Sequence, residues 1–404
     1  MNLKIKWLLT CFIICITTSA QNIKTVQLRP LGSKAYAPIT RLGNVLELSF
    51  DDLDADNKRY QYKIQHMTPN WTPSDIQSNQ YIQGFDQDYI INVTNSFNTL
   101  QDYTHYQVQF PNENTRITKS GNYLISILND YDEVVFTRKC VFYEDLATVG
   151  VSVLRSRNIN YVNEKQTVQF IVNHPNINIQ NPNQEIKVSV LQNHNWNIAK
   201  NNIEPLFIKP YQLVYNHTMK TNFWGGNEFL NFDNKYIRNT SLNIAKTSRE
   251  DVFHNYLYPN EPREYKPYTY NPDINGQFIV RTLDAQDTDT EADYATMHFT
   301  LETIEPYNED VYVYGAFNNF ALNEENKMEY DNDIAAYTCK IPIKQGFYNY
   351  TFVTKNNNTP NITQIEGSFY QTENEYTVIV YYKPFGEIYH RVIGVGFGYF
   401  NQNQ

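Results

Sequence analysis

The chain contains 404 residues with a formal net charge of −10, and aromatic residues make up 15% of it, including 33 tyrosines. An acidic balance with no run of Lys or Arg argues against nucleic acid and anionic lipid as partners. The length exceeds what one hydrophobic core usually fills, so two or three domains are expected.

Residues 1–20 have the tripartite pattern of a secretory signal. Lys4 and Lys6 precede an apolar run over residues 7–16, and small residues ending in Ala20 precede Gln21. The apolar run has roughly ten residues, whereas a membrane-spanning helix needs about 20. We therefore predict cleavage between Ala20 and Gln21 and an exported chain that does not span the membrane.

Removal of this signal leaves two cysteines, Cys140 and Cys339, in the mature chain. Two distant cysteines exclude a disulfide framework. We expect two buried free thiols that act as small apolar residues, with a single long-range bridge as the alternative.

The mature chain reads as strands throughout, in three blocks. Residues 21–148 predict an N-terminal β-sandwich, with strands near 45–50, 60–66, 89–94, 103–110, 123–128 and 134–143. Residues 149–304 predict a middle β domain, with strands near 168–172, 186–191, 206–213, 278–283 and 294–301. Segment 214–272 has weak periodicity and many Pro, Asn and aromatic residues, which predicts a long irregular insertion that either docks a partner or packs on its own domain.

The third block, residues 305–404, is the most regular, with strands near 311–315, 336–341, 348–354, 376–382 and 392–399. Its last strand contains Gly394, Gly396 and Gly398, which resemble a nucleotide-binding fingerprint only superficially because no helix follows. The number and spacing of strands predict an all-β protein of tandem antiparallel sandwiches.

Templates for catalysis and metal binding fail. The sequence has no Gly-x-Ser-x-Gly turn, and its eight histidines are scattered rather than paired at ligand spacing. Two acidic runs, 52–56 and 284–293, lack the glycine and glutamate that a helix-loop-helix calcium site requires, although a less regular calcium site stays open. We therefore predict no enzyme activity, no cofactor and no bound small molecule.

Several motifs in order along the chain resemble the plug protein family of the type IX secretion system. They include Leu-Glu-Leu-Ser-Phe-Asp-Asp-Leu at 46–53, Tyr-Ile-Gln-Gly-Phe at 81–85, Tyr-Val-Tyr-Gly-Ala-Phe-Asn at 312–318 and Tyr-Tyr-Lys-Pro-Phe-Gly at 381–386. The resemblance implies a periplasmic protein at the inner face of the outer membrane that closes the periplasmic end of a large β-barrel translocon. Candidate docking or family-motif residues are Asp51, Asp52, Gly84, Phe85, Trp224, Phe317, Phe320 and Arg391.

The last block also resembles the early-set sandwich and its glycogen-binding relatives, through the stretches 313–320 and 346–352. This implies an alternative function as an envelope carbohydrate-binding module. Relatives of that type stack sugars on tryptophan, and Phe320 stands at the corresponding place here.

Overall fold

Short alternating stretches of apolar and polar residues form strands throughout the described part of the chain, where the helices are single turns. The computed structural model describes residues 22–283, 285–357 and 359–400. The first eleven strands are β1 (Ile23–Pro30), β2 (Ile39–Arg41), β3 (Leu46–Asp52), β4 (Gln61–Met67), β5 (Ile82–Gly84), β6 (Gln87–Tyr89), β7 (Asn92–Asn95), β8 (Thr104–Phe110), β9 (Thr115–Ile117), β10 (Gly121–Leu128) and β11 (Val134–Tyr143).

The following strands are β12 (Thr148–Arg155), β13 (Lys165–Asn173), β14 (Ile186–Gln192), β15 (Asn195–Lys200), β16 (Phe207–Lys209), β17 (Gln212–Tyr215), β18 (Asn222–Trp224), β19 (Leu230–Asp233), β20 (Ile244–Arg249), β21 (Phe253–Leu257), β22 (Phe278–Val280), β23 (Tyr294–Glu302), β24 (Val311–Tyr314), β25 (Glu329–Asp331), β26 (Ala336–Lys344), β27 (Gly346–Asn356), β28 (Thr359–Asn361), β29 (Asn374–Tyr382) and β30 (Arg391–Phe400). Short helices are α1 (Ser78–Tyr81), α2 (Pro182–Glu185) and α3 (Thr288–Glu291), with 3-10 turns at Ile159–Tyr161 and Ala316–Asn318.

Strands β1 to β11 form the first domain, a sandwich of two sheets. The sheets have the strand orders β1-β3-β8-β7 and β2-β11-β10-β4-β6, and β5 pairs separately with β9. The pairs are antiparallel except β2 with β11. Aromatic rings fill the core: Phe50 stacks on Tyr106 with centroids 5.0 Å apart, and Tyr60 meets both rings edge-on.

The middle domain combines β12 to β18 with the two last strands, β29 and β30. One sheet has the order β12-β13-β17-β16, with β18 also paired to β13, and the other has the order β15-β14-β29-β30. Strand β12 lies close over β30, where a Cβ at Gly394 or Gly396 would come within 2.5 or 2.6 Å of a backbone oxygen of residue 147 or 149. The predicted glycine-rich last strand is confirmed, and its glycines allow this close approach.

Strands β19 to β28 form the third domain. Its sheets have the orders β19-β27-β22, with β24 and β28 also paired to β27, and β20-β21-β23-β26-β25. Buried apolar residues between them include Phe232, Met297, Phe299, Val313 and Phe352. The predicted all-β class of antiparallel sheets in tandem sandwiches is therefore confirmed.

The predicted division of the chain between residues 304 and 305 is wrong. Strand β14 pairs with β29, from Ile186 opposite Tyr382 to Gln192 opposite Tyr376. In addition, β19 and β22 pair with β27. Both pairings cross the predicted boundary, so the middle domain is discontinuous and the third domain is inserted within it.

The predicted irregular insertion 214–272 is also corrected. It contains β18 to β21, and its longest stretch without a strand is residues 258–272. These strands have three to six residues each, too few for alternation to stand out in the sequence.

Cys140 and Cys339 are free and buried, as predicted. They lie in the cores of the first and third domains, respectively. Burial raises the pKa of both thiols, which keeps them protonated and unreactive.

Candidate docking surface

Asp51 was a candidate docking residue, but it is fully buried where the first domain meets the third. Its carboxylate accepts hydrogen bonds from the Tyr294 hydroxyl at 2.6 Å and the Lys344 ammonium at 2.8 Å, and His105 Nδ1 lies at 2.6 Å. Burial acts to raise the pKa of Asp51, but the charge of Lys344 and the contact with His105 outweigh it and lower that pKa. Asp51 thus joins two domains and cannot touch a docked partner.

Asp52 is buried as well, and it accepts hydrogen bonds from the Tyr60 hydroxyl at 2.8 Å and from Lys58 at 3.1 Å. Arg391 makes a bidentate ion pair with Glu144, with both hydrogen bonds 3.0 Å long. That pair ties the end of the first domain to β30. Asp52 and Arg391 therefore both make their hydrogen bonds within the molecule.

Phe320 is only 6% exposed and packs on Tyr314, with ring centroids 5.2 Å apart. Sugar stacking needs a ring face open to solvent, so the burial of Phe320 argues against its use as a carbohydrate platform. Phe317 is half-buried against the core of the third domain and meets Tyr348 edge-on. Neither ring stands out as a contact for a partner.

Gly84 and Phe85 lie at the surface of the first domain. Gly84 has φ of +100°, and a Cβ there would lie 2.0 Å from the backbone oxygen of Asn114. The backbone of Phe85 is held on both sides, because its N–H donates to Asn114 O at 2.8 Å and its C=O accepts from Thr115 Oγ1 at 2.6 Å. The ring itself is 63% exposed. A fixed backbone with an exposed ring is suited to an interface anchor.

Further apolar side chains are exposed just after Phe85 in the chain. Ile91 is 91% exposed, and the segment also exposes Tyr89, Val93 and Phe97. Strands β6 and β7 in this segment are the edges of the two sheets of the first domain. We call Phe85, Tyr89, Ile91, Val93 and Phe97 the first-domain apolar segment. Sequence reasoning identified only Phe85, because an isoleucine near a strand pattern predicts a buried side chain.

Exposed apolar residues also occur in the middle domain. Residues 206–211, Leu-Phe-Ile-Lys-Pro-Tyr, are all exposed and include the edge strand β16. Phe385, in the turn between β29 and β30, is 99% exposed. Trp224 is half-buried, with the Lys165 ammonium 3.8 Å from its ring centroid.

The predicted cleavage residues Ala20 and Gln21 lie outside the described residues, as does Asp284 of the second acidic run. Residues 22–283, 285–357 and 359–400 contain no group of three or more His, Cys, Asp or Glu placed to hold a metal ion. Over the same ranges, no helix is long and apolar enough to cross a membrane.

Comparison with solved structures identifies a close relative. A hypothetical protein from Parabacteroides merdae ATCC 43184 is 31% identical, with a TM-score of 0.90, over 94% of this chain and 97% of that one. The type II cohesin dyad of the adaptor ScaA scaffoldin from Acetivibrio cellulolyticus matches over 92% of this chain and 97% of its own, at 8% identity and with a TM-score of 0.18. No curated protein matches the chain.

A family model described as "Type 9 secretion system plug protein 1st domain" matches residues 23–144. These residues contain all strands of the first domain, β1 to β11, and the first-domain apolar segment. The motifs at 46–53 and 81–85, on which the predicted resemblance partly rests, fall within the match. The chain therefore belongs to the type 9 secretion system plug protein family.

Proposed function

We propose that this protein is a non-enzymatic, periplasmic accessory subunit that docks on the outer-membrane barrel of the type IX translocon and closes its periplasmic end. The family match over residues 23–144 is the observation that carries this proposal. In this proposal the protein is exported to the periplasm and lies at the inner face of the outer membrane.

A body that closes a wide pore has to resist deformation, and the contacts between domains support such a role. The first and middle domains meet through Trp71 and Trp196, whose rings are 4.7 Å apart. The middle and third domains meet through Asn195, which donates to the Tyr314 hydroxyl at 2.8 Å. The first and third domains meet at Asp51. Each domain thus contacts the other two, which restricts hinge motion.

The first-domain apolar segment is the surface that we propose for docking. It lies within the family match, and Phe85 and Ile91 are exposed apolar side chains without a core to fill. Aromatic and aliphatic anchors of this type dominate the binding energy of many interfaces. The partly polar surroundings suit an interface that has to release when a substrate is exported.

Affinity purification of the tagged chain from detergent-solubilised outer membrane tests the partner. We expect recovery of the large barrel subunit. If gentle solubilisation recovers no outer-membrane barrel, the proposal is wrong.

Substitutions then test the surface. We expect Phe85→Ser and Ile91→Ser each to weaken capture of the barrel by roughly tenfold or more, which corresponds to loss of an interface anchor. Ile304→Ser is the matched control, because Ile304 is 95% exposed, similar to 91% for Ile91, but lies in the third domain. Equal capture by all three variants would place docking on another surface.

A further inference from the structure

A groove of about 450 Å³ lies between the middle and third domains, away from the first-domain apolar segment. Strands β13, β14, β15 and β18 provide one side, and Asn356 with residues 359–363 around β28 provides the other. Its lining includes Lys165 and Lys200 but no Asp or Glu. The charge of this lining is therefore opposite in sign to the net charge of the chain, which is −10.

Aromatic rings hold both ammonium groups in place. The Lys165 ammonium lies 3.9 Å from the ring centroid of Tyr161 and 3.8 Å from that of Trp224. The Lys200 ammonium lies 5.2 Å from the ring centroid of Phe223. The rings are the partners of both cations, since neither ammonium group forms an ion pair or a hydrogen bond with a side chain of the described ranges.

The two charges also disfavour each other. Burial lowers the pKa of both lysines, and the charge of Lys165 lowers that of Lys200 further. Glu164 acts in the opposite direction on Lys165, but it does not line the groove. An anion bound between the two ammonium groups would relieve their repulsion.

The borders of the groove point to a polypeptide as the source of the anion. Strand β18 pairs with β13 on one side, and β28 pairs with β27 on one side, and neither has a second partner among the described strands. Edge strands can offer backbone donors and acceptors to an extended peptide. In β18 the Asn222 N–H already donates to Met219 O at 3.2 Å and the Trp224 carbonyl accepts from Gln192 Nε2 at 2.9 Å, so such pairing would fall to β28. The volume is also larger than a single inorganic ion needs and is within the range of peptide and ligand sites.

From this arrangement we propose that the groove binds an acidic, extended segment of another polypeptide, whose carboxylates pair with the ammonium groups of Lys165 and Lys200. The site is separate from the first-domain apolar segment, so either proposal can fail without the other.

Binding of a fluorescent peptide of alternating Glu and Val to the full-length mature protein at low salt tests the proposal. We expect saturable binding that a Gln-Val peptide does not reproduce. Lys165→Gln combined with Lys200→Gln should weaken binding roughly tenfold or more, since two charge pairs are lost. Lys63→Gln combined with Lys209→Gln, at exposed lysines outside the groove, should leave it unchanged.

Thermal unfolding separates loss of binding from loss of structure. Because Lys200→Gln removes a repulsive charge, its melting temperature should equal or exceed that of the unchanged protein. Inorganic phosphate at matched ionic strength provides the second arm. Binding of phosphate without binding of the Glu-Val peptide would overturn the polypeptide assignment, and equal affinity for the Glu and Gln peptides would overturn the site.

Discussion

Replacement of Asp51 by Asn should destabilise the contact between the first and third domains strongly. The change keeps the shape of the side chain but removes the charge that Tyr294, His105 and Lys344 surround. Lys344 is buried too, so it would lose its carboxylate without gaining water. Breaking a buried ion pair by removing one partner typically costs about 3–5 kcal/mol.

Urea unfolding followed by far-UV circular dichroism and tryptophan fluorescence measures this cost. The second variant combines Asp51→Asn with Lys344→Met, which removes both charges. It should recover most of the lost stability, since an apolar replacement of a buried pair is often nearly neutral. If Asp51→Asn lowers the free energy of unfolding by less than about 1 kcal/mol, or if the double variant is no more stable than the single one, the reasoning is refuted.

The ion pair of Asp51 with Lys344 should also make the free energy of unfolding depend on pH. The pKa of Asp51 in the folded protein lies below its ordinary value of 3.8. The ionised carboxylate therefore contributes its full stability above about pH 4, and this contribution is lost as the pH falls through the lowered folded value. Asp51→Asn should abolish that part of the acid transition.

The remaining predictions concern glycines and histidines. Gly121→Ala should cost about 2 kcal/mol or more, because φ is +153° and the new Cβ would lie 2.2 Å from His66 Nε2. Gly396→Ala should also destabilise, by roughly 1–3 kcal/mol, since β12 passes directly over it. Gly150→Ala, with no atom within 4 Å of its Cβ, is the control for both in urea unfolding, and equal midpoints for all three variants would contradict the packing argument. Burial lowers the pKa of His66, His298 and His390 from 6.5 to about 4. As the pH is lowered from 6.5 to 4, the unfolded chain therefore binds protons before the folded protein does, and the urea midpoint should decrease. A midpoint that stays constant over this range would contradict the prediction.

Fold class could be predicted from the sequence, whereas domain organisation could not. Alternation over seven to ten residues identifies strands such as β4 and β11, because it depends on near neighbours in the chain. The pairing of β14 with β29 joins residues 186–192 to residues 374–382, and nothing local to either strand specifies the other. A boundary placed between blocks of predicted strands therefore cut through three sheets.

The candidate site shows a similar division. Motif resemblance led to Asp51 and Asp52 as candidates for docking. Motif residues can also form hydrogen bonds inside the protein, and both of these residues are buried. Phe85 is exposed, and it follows Gly84, whose positive φ and close approach to Asn114 are constraints that the sequence alone does not reveal. Ile91 could not be predicted as exposed, since its residue type favours the core.

The split middle domain has a consequence for the order in which the chain folds. Strands β12 to β18 are synthesised early, but the edge of β14 stays open until β29 arrives, nearly two hundred residues later. Strands β19 to β28 are continuous in the chain and can assemble in the meantime. The centre of the molecule therefore completes last, and a chain that stops short of β29 lacks its middle rather than its end.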